Sequence, residues 1–400
     1  MKKLLRAYKT EINPIEKQKN KINQSIGVCR YLYNSYFAKN KELYELYKEG
    51  KIDKKQSFMS ANDFDKYINN EIKTLDQHEW INSCGSKARK KAIVNAETAF
   101  KKFFKGESKF PRFKKKKNQD VKIYFPKNNK TDWKIERHRI NMPTLGWIKL
   151  KEFGYIPTNA VVKSGTVSHK AGRYYVSVLV EDTKDYSFKE LNTGIGIDLG
   201  IKDFAIVSNI EKPFKNINKT SKIKKIEKKL KREQRKLSRK YESLKLRNKN
   251  IKKEGGNATR QNIQKQAAKV QKFHQRISNI RENHINQTVN KIVKNKPSYI
   301  TIEDLNVRGM MKNHHLARAI AGQCFNQFTV KLTNKCKIYK IELRVVDRFY
   351  PSSKLCSCCG NIKKDLKLSD RVYKCECGLD IDRDKNASIN LANAKIYKVA

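Results

Sequence analysis

Apolar positions near the start of the chain recur at spacings of about three and four. Ile15, Ile22, Ile26, Cys29, Tyr31 and Leu32 form such a stripe. It predicts helix over most of residues 11–104. A second helix is predicted over 86–104, with Ala92, Ala96, Ala99, Phe100 and Phe103 facing inward. Lys87, Arg89, Lys90, Lys91, Lys101 and Lys102 are expected on its other faces. The pattern changes at Lys105-Gly106. Phe110-Pro-Arg-Phe113 and the four lysines after it read as a loop, because proline stops the helix and the charge run resists burial.

Residues 120–182 alternate in the manner of strands. Val121-Lys-Ile-Tyr-Phe125, Ala160-Val-Val162 and Tyr174-Tyr-Val-Ser-Val-Leu-Val180 are rich in β-branched and aromatic residues. Turn signals fall at Asn128-Asn129 and Gly172. A small barrel or sandwich is expected. From residue 194, Ile195 to Leu199 and Asp203-Phe-Ala-Ile-Val207 read as paired strands. Ile223, Ile226, Leu230, Leu237, Tyr241 and Leu244 then give a coiled-coil seam. Gly255-Gly256 interrupts it. A partner helix follows, with Ile263, Val270, Ile277, Ile280 and Ile292 on its apolar side, until Pro297. Further strands are expected at 298–302 and 341–346, and a short helix carries Ala387, Ile389 and Leu391 near the end.

Composition sharpens the picture in one direction. Of 400 residues, 90 are Lys or Arg against 39 Asp or Glu, a formal net charge of +51. An excess of this size calls for a polyanionic partner, since self-repulsion would otherwise destabilise the fold. No run of about 18 apolar residues exists, so no spanning helix and no membrane partner are expected. The first residues lack the apolar segment of a signal peptide. Five of nine cysteines cluster between 356 and 377. That usage suits a metal site in a reducing cytoplasm better than a disulfide framework.

Cys356-x-x-Cys359-Gly360 and Cys375-x-Cys377-Gly378 resemble the two knuckles of a zinc ribbon, with four thiolates for one structural Zn²⁺. The second knuckle is one residue shorter than usual, and Cys358 is a spare. Glycine after each knuckle tolerates the positive φ that such turns need.

Three acids stand in apolar-flanked motifs: Asp198 in Gly194-Ile-Gly-Ile-Asp-Leu-Gly200, Glu303 in Tyr299-Ile-Thr-Ile-Glu-Asp-Leu305, and Asp384 in Asp382-Arg-Asp-Lys-Asn-Ala387. A strand Asp, a later strand Glu and a helix-start Asp match the acid placement of ribonuclease-H-like nucleases, in which two Mg²⁺ (Mn²⁺ can substitute) are held by hard carboxylate oxygens. The ordinary alternatives are a turn Asp, a surface Glu303-Asp304 pair and a helix cap at Asp382 or Asp384. Asp382 is kept in reserve as the third acid. An actin-like ATPase would also use Gly-x-Gly-x-Asp-x-Gly, but it needs further glycine-rich loops that the chain lacks.

The chain resembles the TnpB family of insertion-sequence proteins over nearly its whole length. Arg30-Tyr-Leu-Tyr-Asn34, Phe110-Pro-Arg-Phe-Lys114, Gly196-Ile-Asp-Leu-Gly-Ile-Lys-Asp-Phe-Ala205, Ile302-Glu-Asp-Leu-Asn306, Val346-Asp-Arg-Phe-Tyr-Pro-Ser-Ser-Lys354, the knuckles and the Asp382 motif carry the resemblance. It implies a multidomain α+β fold. A wedge β-barrel would comprise 1–10 and 105–185, and a helical recognition domain 11–104. A RuvC-like nuclease domain would span 186–350 with a basic helical hairpin at 212–295. A zinc ribbon would occupy 351–380, and the last RuvC motif and terminal helix 381–400. The resemblance further implies RNA-guided, Mg²⁺-dependent cutting of DNA, with catalytic and Mg²⁺-binding roles for Asp198, Glu303 and Asp384 and Zn²⁺ on Cys356, Cys359, Cys375 and Cys377. The partners would be a guide RNA from the element's end and double-stranded target DNA beside a short motif, in a monomeric cytoplasmic ribonucleoprotein. From the basic aromatic stretches, Lys87, Lys90, Lys91, Arg112 and Lys114 are candidate nucleic-acid contacts. The competing readings are a nuclease-silent guided repressor, a miniature type V CRISPR effector and a strand-transferring transposase.

Overall fold

The computed structural model describes residues 4–115, 121–127, 133–182, 185–188, 190–251, 259–367 and 369–400. The expected turns at 128–129 and 255–256 lie outside the described residues. The chain divides into two compact units, Met1–Lys184 and Asp185–Ala400.

In the first unit, β1 (Leu4–Asn13) precedes α1 (Glu16–Lys48), α2 (Ala61–Tyr67) and α3 (Ser86–Phe104). Six strands follow: β2 (Val121–Pro126), β3 (Lys134–Ile135), β4 (Arg139–Met142), β5 (Gly146–Leu150), β6 (Val161–Lys170) and β7 (Arg173–Asp182). They form an antiparallel sheet in the order β2-β6-β7-β1-β5-β4-β3. Strict alternation buries Tyr174, Val176, Val178 and Val180 of β7 on one face. The β6–β7 turn is made by Ala171 and Gly172, both at positive φ, which matches the twist of a tight hairpin. One apolar cluster runs from the helices into this sheet. Aromatic residues join α1 to α3, with Phe37 5.6 Å from Phe100, and to α2, with Tyr36 5.2 Å from Phe64.

Three expectations change here. Residues 11–13 are strand, because Pro14 separates β1 from α1. Ile15 is exposed rather than on the buried stripe. Arg89, expected on an outer face, is buried.

The second unit begins with β8 (Ile195–Leu199), β9 (Asp203–Val207) and β10 (Phe214–Lys215). The helices α4 (Ser221–Ile251) and α5 (Gln261–Lys294) form a hairpin closed by Ile226, Leu230, Val270 and Ile277. Tyr241, expected in this seam, is largely exposed. Next come β11 (Tyr299–Glu303), α6 (Val307–Met310), α7 (His314–Gln323), α8 (Phe325–Tyr339) and β12 (Glu342–Val346). The chain closes with β13 (Val372–Lys374), β14 (Asp380–Asp382), α9 (Arg383–Ala392) and β15 (Lys398–Val399). A mixed sheet runs β10-β9-β8-β11-β12-β15, in which β8, β11 and β12 are parallel. The central strands β8 and β11 are buried on both faces, so Ile195, Gly196 and Ile197, like Ile300, Thr301 and Ile302, read as continuous buried runs. The helices α7 and α8 went unnoticed in the sequence. Among the described residues no helix is long and apolar enough to cross a membrane.

Candidate active site

Glycine decides how the site assembles. A Cβ on Gly196 would lie 2.1 Å from the Ser388 carbonyl oxygen and 2.4 Å from the Ala392 amide. The backbone of α9 therefore rests directly on β8, a contact that only a residue without a side chain permits. Gly196 and Asp198 project to the same face of β8, the face that α9 covers. One step along the strand from Gly196 to Asp198 parallels one turn back along α9, from Ser388 to Asp384. Tyr299 locks the other end: its ring fills the space beside Gly194 and its hydroxyl donates to the Ala392 carbonyl at 3.0 Å.

Parallel pairing brings in the second acid. Ile197 of β8 is in register with Ile302 of β11, so Asp198 and Glu303 each come one residue later, at the carboxyl ends of neighbouring strands. Glu303 turns inward and accepts a hydrogen bond from the Ser352 hydroxyl. Asp304 instead faces solvent and pairs with Arg348 at 2.8 Å.

The start of α9 separates the two candidate third acids. Asp382 caps the helix, accepting from the Asp384 and Lys385 amides at 3.0 and 3.1 Å. Asp384 is half-buried in the first turn, and Arg383 lies 3.2 Å from its Oδ1. Lys385 ties this turn to the sheet by donating to the Val207, Ser208 and Ile210 carbonyls at 3.0, 2.8 and 3.0 Å.

The electrostatics follow from this packing. Burial, then the neighbouring Glu303 and Asp384 carboxylates, push the Asp198 carboxyl up to about 8, while Arg383 pulls it the other way. Burial also raises Glu303, opposed by its bond from Ser352. The three acids thus share a low-dielectric site that one guanidinium only partly neutralises. Their oxygens do not all fall within 4.8 Å of one another; among the described residues only Cys356, Cys359, Cys375 and Cys377 do so. A set bridging two ions about 4 Å apart, each bound at about 2.1 Å, can span up to about 8 Å. By the chemistry of its donors, a set of three carboxylates suits hard divalent cations.

The four cysteines sit on the loop before β13 and on the β13–β14 turn. Sγ–Sγ distances are 3.6 Å for Cys356 and Cys377 and 3.6 Å for Cys359 and Cys375. A tetrahedral ion with bonds of about 2.3 Å would place them about 3.8 Å apart. The spare thiol, Cys358, is exposed and outside the group. Gly360 and Gly378 both have positive φ, +79° and +88°.

Residues that sequence reasoning left without a role join the two clusters. Asn386 and Asn390, one turn apart on α9 and fully buried, hold the loop into the first knuckle. Asn386 donates to the Leu355 carbonyl at 2.7 Å and accepts from the Ser357 amide at 3.0 Å. Asn390 donates to the Ser352 carbonyl at 2.8 Å. That loop carries Ser352 to Glu303. Two asparagines at i, i+4 on the helix that also carries Ala387, Ile389 and Leu391 were the available signal.

In the first unit, Lys91, Arg112 and Lys114 line a groove of about 520 Å³ together with Arg30, Tyr33 and Lys122. Lys114 lies 3.5 Å above the Tyr33 ring. Asn34 fixes its backbone by donating to the Lys114 carbonyl at 3.0 Å and accepting from its amide at 2.8 Å. Lys87 and Lys90 are exposed on α3 and do not line the groove.

Comparison with known proteins agrees with this architecture. The family model described as "Probable transposase" matches residues 177–314, and the "Cas12f1-like, TNB domain" model matches 325–391. The "Helix-turn-helix domain" model matches 1–49. The described part of that span is β1 and one long helix, α1. A "Putative RNA-guided DNA endonuclease" from Streptomyces pristinaespiralis is 28% identical over 399 residues, covering 98% of this chain and 90% of the relative. The chain is similar to the TnpB family over nearly its whole length. Within the family's range, the "Putative RNA-guided DNA endonuclease InsQ" of Escherichia coli (strain K12) is 28% identical, over 94% of this chain and 88% of its own. The "TnpB-like protein L79" of Acanthamoeba polyphaga mimivirus is 27% identical over 59% of this chain and 44% of its own. The solved structure titled "Cryo-EM structure of the Cas12f1-sgRNA-target DNA complex" shares the fold, with a TM-score of 0.54 at 15% identity, covering 99% of this chain and 100% of that one.

Proposed function

We propose that this TnpB-like chain is an RNA-guided DNA endonuclease of an insertion-sequence element, cutting at one RuvC-like site. The observation that carries the reading is the convergence of Asp198, Glu303 and Asp384 on one half-buried site of a strongly basic chain. These carboxylates would hold two Mg²⁺, and Asp382 would serve as the cap that orients Asp384. When bound, the ions supply an activated water and neutralise charge on the leaving 3′ oxygen. The chain's own residues do the placing. Gly196 lets α9 approach, Lys385 anchors its first turn, Ser352 orients Glu303, and Arg383 offsets part of the negative charge. Hydrolysis would leave 5′-phosphate and 3′-hydroxyl ends. Cys356, Cys359, Cys375 and Cys377 would hold a structural Zn²⁺ with no open position, and Asn386 and Asn390 would join that ribbon to the cutting site. The groove lined by Lys91, Arg112 and Lys114 offers cations and an aromatic face to nucleic acid, with Lys87 and Lys90 at the α3 surface as weaker contacts. The domain boundaries given above describe the same arrangement.

The test is cutting of target DNA by the protein purified with its RNA, titrated with Mg²⁺. Asp198→Ala should lower cutting by more than about 10³-fold, beyond the usual cost of losing one neutral hydrogen-bond donor, and retain RNA and DNA binding. Cutting by Asp198→Ala at the rate of the unaltered protein would remove the assignment. Metal-independent binding without cutting by the unaltered protein would leave a guided repressor.

A further inference from the structure

We propose that the cleft walled by α4, α5 and α7 binds the phosphodiester backbone of a nucleic-acid strand, at a place distinct from the three carboxylates; this rests on the chain acting on nucleic acid. The cavity is about 900 Å³. Lys224, Lys228 and Lys231 of α4 line it at i, i+4 and i+7, one face of the helix. None of the three makes a side-chain ion pair or hydrogen bond among the described residues. Arg281 of α5 and Arg318 of α7 line the cleft as well.

The one carboxylate in the lining, Glu227, is shared: Arg281 lies 3.5 Å and Arg318 3.0 Å from its two oxygens. Five cations therefore face one acid. The Arg318 side chain is 85% exposed, and an exposed pair of this kind is weak enough to give way to a competing anion. Cations converge from three helices on one concavity, whereas lysines on the outer face of α4 point separately into solvent. A polyanionic strand is the ligand that can meet all of them at once, because it presents a phosphate at each nucleotide.

The wall of the cleft is also tied to the candidate cutting site. Arg281 donates from Nε to Asn218 Oδ1 at 2.7 Å, and Asn218 donates to the Gly322 carbonyl at 2.9 Å. The next residue, Gln323, donates to the Gly200 and Ile201 carbonyls at 3.1 and 3.2 Å. That turn directly follows Asp198 and Leu199. A strand held in the cleft would be fixed relative to the carboxylates.

The experiment compares two triple variants that remove the same charge. Lys224→Gln/Lys228→Gln/Lys231→Gln alters the cleft; Lys225→Gln/Lys229→Gln/Arg232→Gln alters exposed positions of the same helix outside it. Melting curves check that both fold alike. Binding of the co-purifying RNA to the protein, and of target DNA to the ribonucleoprotein, is measured across about 50 to 200 mM salt. The cleft triple should weaken binding by about 10- to 30-fold and reduce the slope of log K against log salt by about 2 to 3. The outer triple should weaken it by less than about 3-fold. Loss in the RNA arm assigns the bound strand to the guide, and loss confined to the DNA arm assigns it to the target. Equal losses for the two triples, or no loss in either arm for the cleft triple, would overturn the proposal. Because binding is read rather than cutting, failure here leaves the endonuclease assignment standing, and failure of Asp198→Ala to stop cutting leaves this result interpretable.

Discussion

The two sheets of this protein treat their sheltered acids in opposite ways. In the first unit the most shielded of the described carboxylates meet cations. Glu181, only 6% exposed, has Lys163 at 2.6 Å. Glu11 has Lys151 at 2.8 Å and Arg173 at 3.4 Å, and Glu97 has Lys101 at 3.1 Å. In the second unit Asp198 and Glu303 are brought toward each other and toward Asp384, although the chain carries more than twice as many cations as acids. A lysine could have been placed there at no cost in composition. Acids that offset one another's burial badly are what a site for added cations looks like, whereas paired acids serve the fold alone.

The contrast can be broken in three ways. The largest effect should come from Gly196→Ala. Its Cβ has backbone, not a flexible side-chain end, at 2.1 and 2.4 Å, so α9 must move away from β8. A loss of about 3 kcal/mol or more is expected by urea denaturation, with Mg²⁺-dependent cutting lost in the fraction that still folds. An alanine at Gly27, inside α1 with open space around its Cβ, should leave cutting unchanged and stabilise the helix by up to about 1 kcal/mol.

The next effect is one of sign. Glu181→Gln removes a charge-assisted bond and should destabilise the first unit by about 1 to 2 kcal/mol. Asp198→Asn removes one of three mutually repelling acids and should raise the melting temperature of metal-free protein. Added Mg²⁺ should then stabilise the unaltered protein more than Asp198→Asn. Melting temperatures that fall for both variants would erase the distinction between the two regions.

The smallest effect concerns acid stability in the second core. Burial against Phe204, whose ring lies 5.2 Å away, pushes the His284 imidazole below its usual range. The unfolded chain then binds a proton that the folded one refuses. Stability should fall as pH drops below about 6.5, at up to about 1.4 kcal/mol per pH unit, until the depressed folded value is reached. His284→Phe should flatten that dependence between pH 5.5 and 7.5, conditions set by the range of about 5 to 8 in which histidine titrates.

Much of the fold was legible because its signals are local. The helix over Ser86–Phe104 and the strands β8, β9 and β12 follow from periodicity and from glycine and proline at their ends. The seam of the α4–α5 hairpin was readable at Ile226 and Leu230 but not at Tyr241, where the long helix turns that position to solvent. The helices α7 and α8 were hidden because Cys324, an unremarkable residue in sequence, takes the left-handed conformation that separates them. The last residues of β1, 11–13, were masked by the helical stripe beginning two residues beyond the strand.

By itself, then, the sequence determined the kinds of chemistry on offer: hard carboxylates, a four-thiol cluster and an excess of positive charge. Those are properties of residue types and spacing. Tertiary structure alone decided that Asp382 is spent on a cap while Asp384 faces Asp198, that Ser352 reaches Glu303, and that two buried asparagines bind the ribbon to the same helix. The reason is geometric. The cap aside, these partners lie 31 to 186 positions apart in the chain, and the packing of α9 against a glycine on β8 brings their atoms together.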